Sequence, residues 1–178
     1  MSTHTFPFSQ STFGGHLACT AVATLSACGF AETQCSHNSF KTYCRAGSQV
    51  WQTISTQTIS VDDILQHFPF FKETYEIESF QCCVQESDKE DTKYIPLQSL
   101  LALVQAKSQS VGMVFTDGTS SFSVGKTGSS KWWAFDSHTQ ATLFQGTLSE
   151  LIDYLQDTLQ RSLVVDCTTF VLPLNEDI

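Results

Sequence analysis

Three short segments between residues 111 and 138, VGMVFTD, SSFSVGK and KWWAFDSH, constrain this chain more than any other feature. Each is rich in β-branched and aromatic residues. The breaks between them, DGTS and KTGSS, carry the glycine, aspartate and serine that tight turns need. Strands joined by connections this short run antiparallel, because a parallel pair needs a crossover of about a dozen residues or more. The middle of the chain therefore predicts consecutive antiparallel strands. TYEIESFQCCVQ before them and the closing VVDCTTFVLPL after them read as further strands.

The rest of the chain is helical in pattern. Ala18, Ala21, Val22, Leu25 and Cys28 recur at the spacing of a buried helix face, with Gly29 as a stop. Ser60 and Asp63 form a capping box ahead of Val61, Ile64, Leu65 and Phe68, and Pro69 ends that helix. Pro96 suits the first turn of a helix carrying Leu97, Leu100, Leu101 and Val104. Thr147 and Glu150 make a second capping box before Leu148, Leu151, Ile152, Leu155 and Leu159. Residues 1–15 read as an extended lead-in, and the polar stretch 31–58 as holding one short helix. ESDKEDTK, at 86–93, reads as a charged loop. Helices and strands segregate instead of alternating, so the class is α+β, in one domain over 1–178.

Composition narrows the partners. Eighteen acidic against nine basic residues leave a net charge of −9. Such a surface does not neutralise phosphates, which argues against nucleic acid and against an anionic membrane, and it favours a basic peptide. No run reaches the ~18 apolar residues of a membrane span, and the first residues lack a charged-then-apolar signal. The expectation is a reducing compartment such as the cytoplasm, with 7 cysteines held as thiols. Cys28, Cys35, His37 and Cys44 have zinc-ligand chemistry, but their C-x6-C-x-H-x6-C spacing lacks the close cysteine pair of structural zinc sites. No metal and no cofactor are expected.

Cys19 follows Gly14 and Gly15 and falls in the first turn of the first helix. A helix N-terminus lowers a thiol pKa, and the thiolate is the nucleophile. The two glycines allow a substrate backbone to come close and leave backbone N–H groups for an oxyanion. A base is supplied by WWAFDSH. Asp136 and His138 are two apart, so on a strand they share a face, and the carboxylate can fix the imidazole. Trp133 and Phe135 then point the other way. Taken singly, each half has a plainer reading: a small thiol packed in a core, and a surface ion pair. His16 has no carboxylate partner in view and reads as a cleft or surface residue.

In this order, GGHLACTA early and WWAFDSHTQ late, the chain resembles the papain-like cysteine proteases. More narrowly it is similar to the herpesvirus tegument-type deubiquitinases and their bacterial and transposon-encoded relatives. The hairpin TDGTSSFSV ahead of FDSH fits the same pattern. The resemblance implies a papain-like fold, with the catalytic-Cys helix packed on a mainly antiparallel sheet. It implies hydrolysis after the C-terminal glycine of ubiquitin or polyubiquitin by a monomeric thiol protease, in the host cytosol if the chain is a viral or bacterial effector. Cys19 would be the nucleophile, His138 the base and Asp136 its orienting carboxylate. Gln10 would join the Cys19 backbone N–H in the oxyanion hole, and Gly14 and Trp132 would line a narrow passage for the tail. Family members often carry glutamine beside the nucleophile, where this chain has Ala18. Gln10 also stands closer to Cys19 in sequence than the family pattern has it, and read by itself it is a polar residue of the lead-in. Two other functions stay open: a papain-like protease acting on a ubiquitin-like modifier or another substrate, and a non-catalytic ubiquitin-binding module.

Overall fold

The computed structural model describes residues 1–84, 94–159 and 164–174. The charged loop over 86–93 lies outside the described residues. In chain order the elements are strand β1 (Ser2–Thr5), a 3-10 turn (Gln10–Phe13), and helices α1 (Cys19–Ala31), α2 (His37–Ile54), α3 (Val61–His67) and α4 (Phe70–Thr74). Strands β2 (Glu76–Cys83) and β3 (Ile95–Pro96) follow, then α5 (Leu97–Ala106), β4 (Val111–Thr116), β5 (Ser121–Thr127), β6 (Lys131–Asp136), β7 (Thr142–Gly146), α6 (Leu148–Thr158) and β8 (Val164–Val171). One sheet holds all eight strands in the order β1-β7-β6-β5-β4-β8-β2-β3. Every pairing is antiparallel except that of β2 with β3. This is the α+β architecture expected from the sequence.

The expected strands from 111 to 136 form the consecutive hairpins β4-β5-β6. At the first turn the Asp117 carboxylate accepts hydrogen bonds from the N–H groups of Thr119 (2.9 Å) and Ser120 (3.0 Å), and Gly118 takes φ +95°. Both capping boxes form. Asp63 N–H donates to the Ser60 hydroxyl at 3.1 Å and Ser60 N–H to the Asp63 carboxylate at 2.8 Å. Thr147 and Glu150 make the same exchange.

Both faces of the sheet are covered, so its central strands are buried throughout instead of alternating. Helices α1 to α4 pack on one face with Trp133 and Phe135. Helices α5 and α6 pack on the other with Trp132 and Ala134. Helix α1 is buried on nearly every side and runs close over β4 and β5. A Cβ at Gly112 would stand 1.6 Å from the Ala27 carbonyl oxygen, and one at Gly125 would stand 2.3 Å from the Phe30 ring. Two hydroxyl pairs fasten α1 to β5: Thr20 with Ser121 at 2.8 Å and Ser26 with Ser123 at 2.7 Å.

The structure corrects several expectations. The stretch 31–58 holds an 18-residue helix, not a short one. Its buried stripe is Phe40, Cys44, Gly47, Ser48 and Trp51. Small and polar members dilute the apolar signal, although the spacing is helical. The lead-in is extended, but part of it is a strand, β1, paired with β7, which the sequence reading did not assign. Helix α1 continues past Gly29 to Ala31 because Gly29 serves close packing against Tyr43. Cys28, Cys35, His37 and Cys44 have separate neighbours, and among the described residues no three potential ligands gather around a metal position. No helix of the described residues is long and apolar enough to cross a membrane.

Candidate active site

Cys19 is the first residue of α1, preceded by Ala18, and no side chain caps this helix. The partial positive charge of the helix start therefore lies at the sulfur with no anionic side chain in the first turn to offset it. Cys19 is 6% exposed. His138 approaches it from the loop after β6, close enough for each group to shift the titration of the other. The thiol pKa is lowered from its ordinary value. Burial is the largest influence and acts upward. The hydrogen bond and charge of His138 outweigh it, with the Ser121 N–H and the Thr20 hydroxyl adding to the fall.

The other half of the pair moves the opposite way. The His138 imidazole is pushed up to about 10, first by its hydrogen bond to Asp136, then by that to Cys19, against the opposing effect of burial. For Asp136, burial is again the largest single influence and acts upward. The hydrogen bonds from His138 overcome it and hold the carboxyl below its ordinary value. The shifts favour the thiolate of Cys19, the imidazolium of His138 and the carboxylate of Asp136. Cys35, Cys44 and Cys82 are pushed by burial up to about 12, and Cys28 and Cys167 rise as well, again through burial.

Asp136 and His138 meet as neighbours, but not because they alternate along a strand. Strand β6 ends at Asp136, and the chain curls back on it. One Asp136 oxygen accepts both the His138 backbone N–H at 2.9 Å and Nδ1 at 2.5 Å. Nδ1 thereby carries the donated proton, leaving Nε2 for the sulfur. Thr139, next in the chain, has φ +40°, a strained region for a β-branched residue. The loop is fastened from outside by the lead-in. Phe6 N–H donates to the Ala141 carbonyl (2.8 Å), Ala141 N–H to the Phe8 carbonyl (2.9 Å), and Gln10 N–H to the Ser137 carbonyl (3.0 Å).

Gln10 is buried at 2% exposure, so it is not a solvated lead-in residue. Its Oε1 accepts from the Ser137 hydroxyl at 2.7 Å, and its Nε2 donates to the His16 carbonyl at 3.0 Å. Gly14 is exposed and ends the 3-10 turn at φ +80°. Trp132 does not line a substrate passage. It is 1% exposed in the core on the α5–α6 face, with its indole N–H donated to Gln105 Oε1 at 2.8 Å. Its neighbour Trp133 belongs to the α1 face. A two-residue period fixes which tryptophan shares a side with which, but not which side α1 takes.

A cleft of about 590 Å³ is lined by Thr20, Ser121, Thr116, Asp166, Gln81 and Asp62; it adjoins the site through Thr20 and Ser121, and Cys19, His138 and Asp136 do not line it. The sequence held no signal for it, because the α3 start and four strands, β2, β4, β5 and β8, contribute to it from far apart in the chain.

No protein-family model matches the sequence, and no curated protein matches it. Among solved structures, the chain is similar to the ubiquitin-specific protease encoded by the murine cytomegalovirus tegument protein M48, in a complex with a ubiquitin-based suicide substrate. The likeness has a TM-score of 0.70 at 15% sequence identity, over 100% of this chain and 90% of that one. It is a distant structural relationship, and it places this fold with a papain-like viral protease.

Proposed function

We propose that the protein is a cysteine-dependent deubiquitinase that hydrolyses the peptide or isopeptide bond after the C-terminal glycine of ubiquitin. The observation that carries this reading is the juxtaposition of Cys19, at a helix start, with His138, whose ring is hydrogen-bonded to Asp136, on a fold similar to that of a ubiquitin-specific protease. The Cys19 thiolate adds to the glycine carbonyl carbon, and the carbonyl electron pair moves onto oxygen. That oxyanion is held by the Cys19 backbone N–H and the Gln10 amide. Collapse expels the lysine amine, which takes the proton of His138, and leaves a thioester. His138, now neutral, deprotonates a water that attacks the thioester, and sulfur departs as the thiolate. Asp136 holds the ring in the required orientation throughout.

The neighbouring cleft supports a basic substrate. Asp62, Asp63 and Asp166 line it, and the ubiquitin tail, Arg-Leu-Arg-Gly-Gly, is cationic, so attraction steers its approach. Exposed Gly14 is the candidate to face the tail. The seven cysteines are unpaired thiols, which supports a reducing compartment such as the cytoplasm, with residues 1–178 acting as one monomeric catalytic domain.

The test is a ubiquitin probe with a C-terminal electrophile. Wild-type protein is expected to form one covalent adduct, mapped to Cys19, and Cys19→Ala none while still binding ubiquitin. Reaction with a probe built on a ubiquitin-like modifier, and none with ubiquitin, would move the substrate. A folded protein inert to every probe would leave a binding module.

A further inference from the structure

The 3-10 turn that carries Gln10 touches both halves of the candidate site. Its amide nitrogen is bonded to the carbonyl of His16, three residues ahead of Cys19. Its amide oxygen is bonded to Ser137, which stands between Asp136 and His138. The His16 carbonyl can only accept, so the network assigns which end of this amide is nitrogen. One hydrogen of Nε2 goes to His16, and the second remains available to a developing oxyanion.

We propose that Ser137 is a positioning residue: its hydroxyl holds the oxygen end of the Gln10 amide, so that the nitrogen end stays turned toward the approach to Cys19. Ser137 grips Gln10 twice, through its hydroxyl at 2.7 Å and through its own carbonyl, which accepts the Gln10 backbone N–H at 3.0 Å. Both residues are 2% exposed, so water does not replace a lost partner. The grip also ties Gln10 to the loop that carries the imidazole. This deepens the acyl-transfer reading of the site and rests on it. A serine inside D-x-H is thus neither filler nor a second nucleophile.

Two small reagents separate this role from others without any need for ubiquitin. In acetylation by p-nitrophenyl acetate, the Cys19 sulfur bonds to the acetyl carbon through an oxyanion, and nitrophenolate leaves with the C–O electron pair. In alkylation by iodoacetamide, sulfur bonds to a saturated carbon, iodide leaves with the C–I pair, and no oxyanion forms. Losing an oxyanion donor outright costs about 10²–10³ in rate, so loosening one is expected to cost about tenfold. Ser137→Ala should therefore lower the acetylation rate about tenfold while leaving the alkylation rate and its pH profile in place. Ser137→Thr, which keeps the hydroxyl, should restore acetylation. In a Gln10→Ala background, Ser137→Ala should change acetylation no further.

An unchanged ratio of the two rates in Ser137→Ala or in Gln10→Ala overturns the inference. So does a Ser137→Ala effect that survives in the Gln10→Ala background, or one that slows alkylation equally. If Ser137→Ala does not fold, Ser137→Cys, of similar size and a weak donor, reads the same ratio. A wild-type protein that acetylates at Cys19 but ignores every ubiquitin probe would remove the proposed substrate and leave the role of Ser137 standing.

Discussion

The two faces of the sheet are covered by different chemistry. On the α5–α6 face, Leu97, Leu100, Leu101, Leu151 and Leu155 meet Met113, Phe115, Phe122 and Phe144. That interface is aliphatic and aromatic, and it needs little more than area and volume. On the other face, α1 presents Thr20 and Ser26 to hydroxyls of β5, and it needs glycine at 112 and 125 to come so close. Hydroxyl pairs and backbone contacts are directional and tolerate little displacement. The α5–α6 face is filled by apolar side chains, whereas the face that carries Cys19 adds hydroxyl pairs and close backbone contacts to its own apolar cluster. A thiol on a helix start that is to meet His138 needs that placement, since His138 arrives from a separate loop.

The sharpest way to break this contrast is Gly112→Ala. The added Cβ would meet a backbone carbonyl at 1.6 Å, which cannot rotate aside. We expect a loss of more than about 4 kcal/mol, read by chemical denaturation, together with loss of Cys19 reactivity. Next is Leu101→Ala on the opposite face, where the side chain is fully buried. A loss of about 2–5 kcal/mol is expected from the vacated volume. The folded fraction should nevertheless alkylate at Cys19 with an unchanged pH profile. If the profile moves, the two faces are not independent.

Asp136→Asn tests the site without touching either interface. In the wild type the thiolate–imidazolium pair forms as pH rises through the lowered Cys19 pKa, and it is lost as His138 deprotonates near pH 10. Removing the carboxylate removes the largest upward influence on His138, so the alkaline limb of turnover should move to lower pH. Turnover itself should fall about ten- to a hundredfold, or about 1.4–2.7 kcal/mol of barrier. An alkaline limb still near pH 10 would show that another group holds the imidazole.

Smallest is Thr139→Asn, at the strained end of the His138 loop. Asparagine accepts positive φ more readily than a β-branched residue, so stability should rise by up to about 1 kcal/mol in a thermal melt. Cys19 alkylation should stay as it is.

How much of this was legible in advance follows from sequence distance. The hairpins from 111 to 136, both capping boxes and the helix that starts at Cys19 rest on neighbours within four residues or on one tight turn, so a window of sequence contains their causes. Cys19 and the Asp136–His138 pair were legible for the same reason: a helix start and a two-residue spacing are local. Even there, the pair closes through a turn around one Asp136 oxygen, not through strand alternation, because β6 ends where the sheet meets the site. Other features depend on partners far along the chain. Ser137 reaches Gln10 across 127 positions, and Thr20 reaches Ser121 across 101. The strand character of the lead-in appears only when β7 is beside it. The length of α2 is supported by its packing against α1, which allows small residues to stand where an apolar stripe would be expected. Trp132 could not be sorted from Trp133 by pattern, since both sides of the sheet are buried and a period of two carries no label for either. The sequence by itself determined which residues could do thiol chemistry and which segments could be strands or helices. Only the tertiary structure decided which of them meet, because hydrogen bonding and burial between distant segments are properties of the packed chain and not of any stretch of it.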